Sequence, residues 1–249
     1  MTQADRAPVA VVTGAGSGIG AGISRLLAGR GYSVALWDVD SKGAESVLAG
    51  IEEAGGRGLA VLADVADPVS VREATSKTTS GLGPAVALVN NAGVRDQLPF
   101  FETTPRDWQR VIGVDLSGVF YCTQAVAAVM RDNGGGAIVN ISSIVAHVSF
   151  PDRTAYAAAK AGVLGLTRST AQSLGPYGIR VNAIAPGQIE TPMQQESANR
   201  AENALSRIPI ARIGKPADIA SATAFLLSEE AGFITGVVLN VDGGRIACA

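Results

Sequence analysis

Tyr156 and Lys160 are the pair best equipped for chemistry in this chain, with Ser143 thirteen residues ahead of the tyrosine. A spacing of four puts Tyr156 and Lys160 on one face of a helix, one turn apart. The three residues between them are all alanine, which favours helix. A cation beside a phenol favours the phenolate, and that equips a tyrosine as a general acid/base. Ser143 follows the apolar run 137–141 and would orient a carbonyl or alcohol oxygen if the fold returns it to Tyr156. A Tyr–Lys pair at this spacing also occurs as an ordinary pair on a helix surface, so the surrounding elements decide.

A second candidate lies near the N-terminus. The β-branched run 8–12 reads as a strand buried on both faces. Thr13-Gly14-Ala15-Gly16-Ser17-Gly18-Ile19-Gly20 follows, then an apolar helical pattern to Gly29. Strand, glycine turn and helix form the context of a phosphate-binding loop, in which bare backbone and a helix N-terminus receive a pyrophosphate. The spacing, glycine at 14, 18 and 20, departs from the generic G-x-G-x-x-G. A second strand, 33–37, ends at Asp38. An acidic residue there serves as a strand-end cap or as the partner of an adenosine ribose 2′-hydroxyl. It would repel a 2′-phosphate, and neither Ser17 nor Val39 is basic, so NAD is favoured over NADP.

Stepping along the chain, strands are expected at 59–62, 85–89, 137–141, 179–184 and 237–240, and helices at 41–54, from Asp67-Pro68, from Thr104-Pro105 to about Met130, at 154–174 and at 216–227. Asp67 and Thr104 are N-caps with proline at the first helical position. Residues 188–213 lack a clean period and read as a flap over a substrate. Alternation of strand and helix argues one α/β domain, residues 1–249, with a mostly parallel sheet. Ligands bind such sheets at the carboxyl ends of the strands, and Gly14, Asp38, Asp64, Asn91, Ser143 and Pro186 all fall at or just after one.

Composition excludes several classes. The 249 residues are 47% hydrophobic and 17% charged, which fits a well-buried globular chain. A net charge of −2 gives no footprint for nucleic acid or an anionic membrane. Cys122 and Cys248 form no C-x-x-C, and there is one histidine, so no metal site is expected. The N-terminus has no signal-peptide core and no run of apolar residues reaches a membrane span; a cytoplasmic protein is expected.

These motifs, taken together, resemble the short-chain dehydrogenase/reductase family, near its 3-oxoacyl-reductase subgroup. T-G-x-x-x-G-x-G at Thr13, N-N-A-G at Asn90 to Gly93, a serine thirteen before the tyrosine, Y-x-x-x-K at Tyr156 and P-G at Pro186-Gly187 stand in the family's order across nearly the whole chain. The resemblance implies a Rossmann-like doubly wound domain with a seven-stranded parallel sheet, assembled as a homotetramer or homodimer. It implies Tyr156 as acid/base, Lys160 as the cation that activates it and holds the nicotinamide ribose, and Ser143 as the donor to the substrate oxygen. Gly14, Ser17, Gly18, Ile19 and Gly20 match the dinucleotide loop. Asp64 and Val65 match adenine contacts, Asn91 with Ala92 and Gly93 a contact near the ribose, and Ile189 and Thr191 residues beside the carboxamide. One position departs: the family's catalytic asparagine is Asp115 here, expected to take a supporting role.

The expected activity is hydride transfer between NAD(H) and a secondary alcohol or ketone. The rivals are an NADPH-dependent 3-oxoacyl-thioester reductase, against which Asp38 weighs, and a non-catalytic dinucleotide-binding regulator, which has no need of an acid/base set. Val94, Arg95, His147, Phe150, Gln188 and Met193 are the candidate substrate contacts, by proximity to the motifs.

Overall fold

The computed structural model describes residues 7–148, 150–192 and 207–248. Seven strands, β1 (Val9–Thr13), β2 (Ser33–Asp38), β3 (Arg57–Leu62), β4 (Ala85–Asn90), β5 (Gly136–Ile141), β6 (Ile179–Pro186) and β7 (Val238–Val241), form one sheet in the order β3-β2-β1-β4-β5-β6-β7. Every pairing is parallel. Parallel neighbours need crossovers, and helices supply them: α1 (Gly18–Gly29), α2 (Ser41–Glu53), α3 (Pro68–Gly81), α4 (Pro105–Ile112), α5 (Gly118–Asp132), α6 (Thr154–Leu174) and α7 (Pro216–Leu227). The result is a Rossmann-like α/β fold.

Side chains alternate across each strand, so every central strand feeds two cores. Ala10, Val12, Val34 and Leu36 meet Ile23 and Leu27 of α1 and Ile219 of α7 on one face. Val9, Val11, Ala35 and Trp37 meet Val71 of α3 and Val126 and Met130 of α5 on the other. That two-sided burial is why the strands read as continuous apolar runs. The Trp37 indole, fully buried, donates to Thr78 Oγ1 at 2.9 Å.

The caps at Asp67 and Thr104 are as expected. Asp67 accepts from the Val69 and Ser70 N–H groups, and Thr104 forms a reciprocal capping box with Asp107. The stretch from Pro105 is not one regular helix. A π-helical turn, Gly113–Ser117, separates α4 from α5 and carries the fully buried Asp115. An 18-residue window within Pro105–Asp132 is, by length and composition alone, apolar enough to cross a membrane. Its apolar residues Val119, Cys122, Val126 and Met130 are buried against the sheet, as in a core helix. Burial pushes the Cys122 thiol up to about 12, which leaves it inert.

The strand order reverses direction between β1 and β4, the place where a doubly wound sheet opens a crevice. There Thr13 Oγ1 accepts from the Asn91 and Ala92 N–H groups, both at 3.0 Å. Asn91 Nδ2 donates back to the carbonyls of Thr13 and Gly14 at 2.9 and 3.0 Å. The two loops at the head of the crevice are thus locked to each other.

Candidate active site

A cavity of about 890 Å³ runs along the carboxyl ends of the strands. Gly14, Ser17, Gly18, Ile19, Asp38, Asp64, Val65, Asn91, Ala92 and Gly93 line it, and so do Asp115, Ser143, Tyr156, Lys160, Pro186, Gly187, Ile189 and Thr191. Gly20 does not. It is buried against the Gly14 carbonyl and the Asn91 amide, where a side chain would collide, so it seats the helix on the loop.

The cavity's first half fits a dinucleotide. Gly14 has φ +62°, and a Cβ there would lie 2.8 Å from Ala92 Cα, so the backbone has to stay bare. Ser17 makes no side-chain cap on α1, which leaves that helix N-terminus available to an anion. Thr191 faces it: a Cβ on Gly18 would sit 3.4 Å from Thr191 Cγ2. Asp38 is fixed in place, Oδ2 accepting from Gly16 N at 2.8 Å and Oδ1 from Asp40 N at 2.9 Å.

The second half centres on α6, which is anchored at three levels. At its head, both oxygens of the buried Asp96 accept from α6 N–H groups, Oδ2 from Ala155 and Oδ1 from Tyr156, each at 3.1 Å. At Lys160, Ser142 Oγ donates to the Lys160 carbonyl at 2.9 Å while Lys160 Nζ donates to the Ile141 carbonyl at 3.1 Å. Below, Asn140 Nδ2 donates to Thr167 Oγ1 at 2.9 Å and Asn140 Oδ1 accepts from Asn90 Nδ2 at 2.8 Å. Ser143 Oγ accepts from Val145 N at 3.2 Å, so its own proton is left to donate.

Lys160 Nζ lies 3.0 Å from Asp115 Oδ2 and 5.5 Å from the centre of the Tyr156 ring. The Asp115 contact is a buried ion pair. Asp115 Oδ1 accepts from Val94 N at 2.7 Å. Burial pushes the Asp115 carboxyl up, with the Lys160 ammonium opposing. Burial pulls the Lys160 ammonium down, but Asp115 and Tyr156 outweigh it and the net direction is up.

Of the expected substrate contacts, Val94, Arg95, Phe150 and Gln188 line the cavity. His147 does not: the 3₁₀ turn Ile144–Ala146 carries it to an exposed position outside the lining. Met193 and most of the expected flap lie outside the described residues. The sequence reading missed Arg153, Arg207 and Arg245, which also line the cavity, and the anchoring roles of Thr13, Asp96, Asn140 and Ser142. Arg153 stacks on the Phe150 ring at 5.0 Å. Arg207 and Arg245 line the cavity from two segments, which are tied to each other where Ile210 N donates to the Gly243 carbonyl at 3.1 Å. An Arg directly after Gly243-Gly244 was the available signal.

A doubly wound parallel sheet, with a glycine loop and a Tyr–Lys helix lining one crevice, defines a Rossmann-type oxidoreductase. A family profile described as enoyl-(acyl carrier protein) reductase matches residues 14–245. The chain is 43% identical to cis-4-hydroxycyclohexanecarboxylate dehydrogenase of Sinomonas cyclohexanicum over 249 residues, 99% of this chain and 100% of that one. It is 40% identical to the 3-oxoacyl-(acyl-carrier-protein) reductase of Thermotoga maritima over 239 residues, 96% and 97% of the two chains. A crystal structure of a putative short-chain alcohol dehydrogenase from Sinorhizobium meliloti superposes with a TM-score of 0.94 at 38% identity, covering 98% of each chain. The chain belongs to the short-chain dehydrogenase/reductase family. It is an oxidoreductase of the kind that acts on alcohols and ketones, in a family that works with NAD(P).

Proposed function

We propose that the protein uses NAD(H) to interconvert a compact secondary alcohol and its ketone, on a substrate that carries an anionic group, with Tyr156 as acid/base. The reading is carried by one observation: Ser143, Tyr156 and Lys160 line the same cavity as the glycine loop. Gly14, Ser17, Gly18 and Ile19 would hold the pyrophosphate, Asp38 the adenosine ribose, and Asp64 and Val65 the adenine. Asn91, Ala92, Gly93, Pro186, Gly187, Ile189 and Thr191 would hold the remainder. When bound, the nicotinamide supplies or accepts the hydride.

The chain's own residues handle the proton and the charge. In alcohol oxidation the Tyr156 phenolate takes the hydroxyl proton as the carbonyl forms; in reduction the Tyr156 hydroxyl returns it. The Lys160 ammonium, held by Ile141 and Asp115, favours the phenolate. The Ser143 hydroxyl donates to the substrate oxygen and steadies the charge that develops there.

Arg207 and Arg245, brought to the cavity from two segments, favour a negatively charged substituent on the substrate. A hydroxycyclohexanecarboxylate, as in the name of the Sinomonas relative, meets that requirement. Large apolar side chains left exposed, among them Trp108, Phe120, Phe225, Val237 and Leu239, favour assembly into a homotetramer or homodimer.

The test is absorbance-monitored turnover of NAD and NADP with hydroxycycloalkane carboxylates, their methyl esters and neutral secondary alcohols, and of the reduced cofactors with ketones and 3-oxoacyl thioesters. Tyr156→Phe is expected to lose turnover on the order of a thousandfold, within the range for a general acid/base, while still binding NADH. Substantial residual activity in that variant would refute the acid/base role. Preference for thioesters with NADPH would favour the other reading, for which the Thermotoga relative speaks.

A further inference from the structure

The cation beside Tyr156 is not free. Asp115 and Lys160 are both buried, 0% and 3% exposed, with carboxylate and ammonium 3.0 Å apart. We propose that Asp115, which stands where the family pattern has asparagine, is a positioning residue whose negative charge offsets part of the Lys160 charge and so sets the pH range in which Tyr156 exchanges its proton. The proposal rests on the acid/base reading of Tyr156.

Three features hold the pair in place. The π-helical turn Gly113–Ser117 carries Asp115 inward. The Val94 N–H, 2.7 Å from Oδ1, keeps the carboxylate from swinging away. Gly93 leaves the space the pair occupies: a Cβ there would lie 2.9 Å from Asp115 Oδ2 and 3.4 Å from Lys160 Nζ. Lys160 Nζ takes the Ile141 carbonyl as its other contact and lies beside the Tyr156 ring. The phenol therefore faces a cation with an anion fixed behind it.

Other charged groups among the described residues lie further from the lysine. Tyr156 comes from the same helix as Lys160. The Arg110 guanidinium of α4 favours the charged form of Asp115, less than Lys160 does. Asp96 sits at the head of α6 with both oxygens engaged by backbone N–H groups. Among the described residues, Asp115 is thus the anion in direct contact with the lysine.

Asparagine has nearly the same shape and can keep the Val94 bond through its carbonyl oxygen, so Asp115→Asn removes charge with little change in packing. With the anion gone, the full Lys160 charge acts on the phenol, and the phenolate forms at lower pH. At the several-ångström separations of neighbouring side chains and an effective dielectric of ~20, removing one unit charge shifts the phenol by on the order of 1–2 pH units.

Two readouts test this. The first is the pH profile of kcat/KM for alcohol oxidation at saturating cofactor, in the parent and in Asp115→Asn. The second is a near-ultraviolet phenolate titration of both proteins without substrate, the Tyr156 signal being isolated by subtracting Tyr156→Phe. The acid limb of the profile and the Tyr156 signal are both expected to move down by about 1–2 pH units in Asp115→Asn, whatever the rate on the high-pH plateau. An unmoved phenolate signal overturns the proposal, whether the plateau is kept or collapses. If no substrate turns over, the titration alone decides it, and failure of the proposed activity is seen separately.

Discussion

Asp96 supplies the sharpest test of how α6 is held. Asp96→Ala removes two charge-assisted bonds, from Ala155 N and Tyr156 N. Ala155 is fully buried, so its N–H has no water to turn to, whereas Tyr156 is half-buried. Hydrogen bonds to charged groups contribute about 1.5–3 kcal/mol each, and loss of a helix cap costs about 1 kcal/mol. For a partly compensated pair, ~2–4 kcal/mol is expected. A chain of this size loses roughly 2–4 °C of melting temperature per kcal/mol, so Asp96→Ala should melt roughly 5–15 °C lower. Asp96→Asn keeps one accepting oxygen and turns an NH₂ towards the other N–H, so it should fall between. Because the lost cap frees the backbone of Tyr156 itself, kcat should drop on the order of tenfold or more, as misplacement of a reacting group by an ångström does. The assay is thermal unfolding at one protein concentration and scan rate, with and without NADH, beside steady-state turnover. If Asp96→Ala melts within about 1 °C of the parent and turns over equally, the head of α6 is held by something else.

Two further predictions concern charge. Asp38→Ala should raise the ratio of kcat/KM for NADP over NAD by about tenfold, because a carboxylate close to a 2′-phosphate costs on the order of 1–2 kcal/mol; Val39→Arg, at an exposed position on the cavity, should raise it further. Loss of the Gly16 and Asp40 contacts will weaken both cofactors, so the ratio is the quantity to read, and an unchanged ratio would assign the preference elsewhere. Lys160→Met leaves the buried Asp115 carboxylate without its partner and should destabilise the protein by about 3–5 kcal/mol. Adding Asp115→Asn should restore most of that in thermal unfolding; a double variant no more stable than the single one would show that the pair is not charged.

The strand–helix order was legible because a parallel sheet buries both faces of its central strands, and such strands stand out as unbroken apolar runs between glycine turns. The Tyr156–Lys160 helix and the glycine loop were legible because their chemistry is local in sequence, within four and eight residues. What was hidden depends on distant parts meeting. Apolar periodicity runs smoothly through Pro105–Asp132, so nothing in it announces the π-helical turn that buries Asp115. Asp96 reaches a helix 59 and 60 residues away, and in the sequence it is one more acidic residue in a polar loop. His147 follows Ser143 closely enough to suggest a shared site, yet a single 3₁₀ turn is enough to separate them.

The hidden residues explain why the legible ones occupy a defined geometry. A four-residue spacing aligns Tyr156 with Lys160 but says nothing about where the pair stands relative to the sheet. Asp96 fixes the start of α6, the Lys160 carbonyl and ammonium tie its second turn to the end of β5, and Asn140 ties its fourth turn to the sheet through Thr167. Lys160 is therefore both an anchor and a source of charge, and the two roles pull against each other: an anion steadies a lysine buried deeply enough to pin a helix, and that anion weakens the field the phenol feels. An asparagine at position 115 would leave the charge undivided, at the cost of a buried ammonium held by polar groups alone. With aspartate this chain takes the other arrangement, and the effect on the proton transfer is what the pH profile of Asp115→Asn reads.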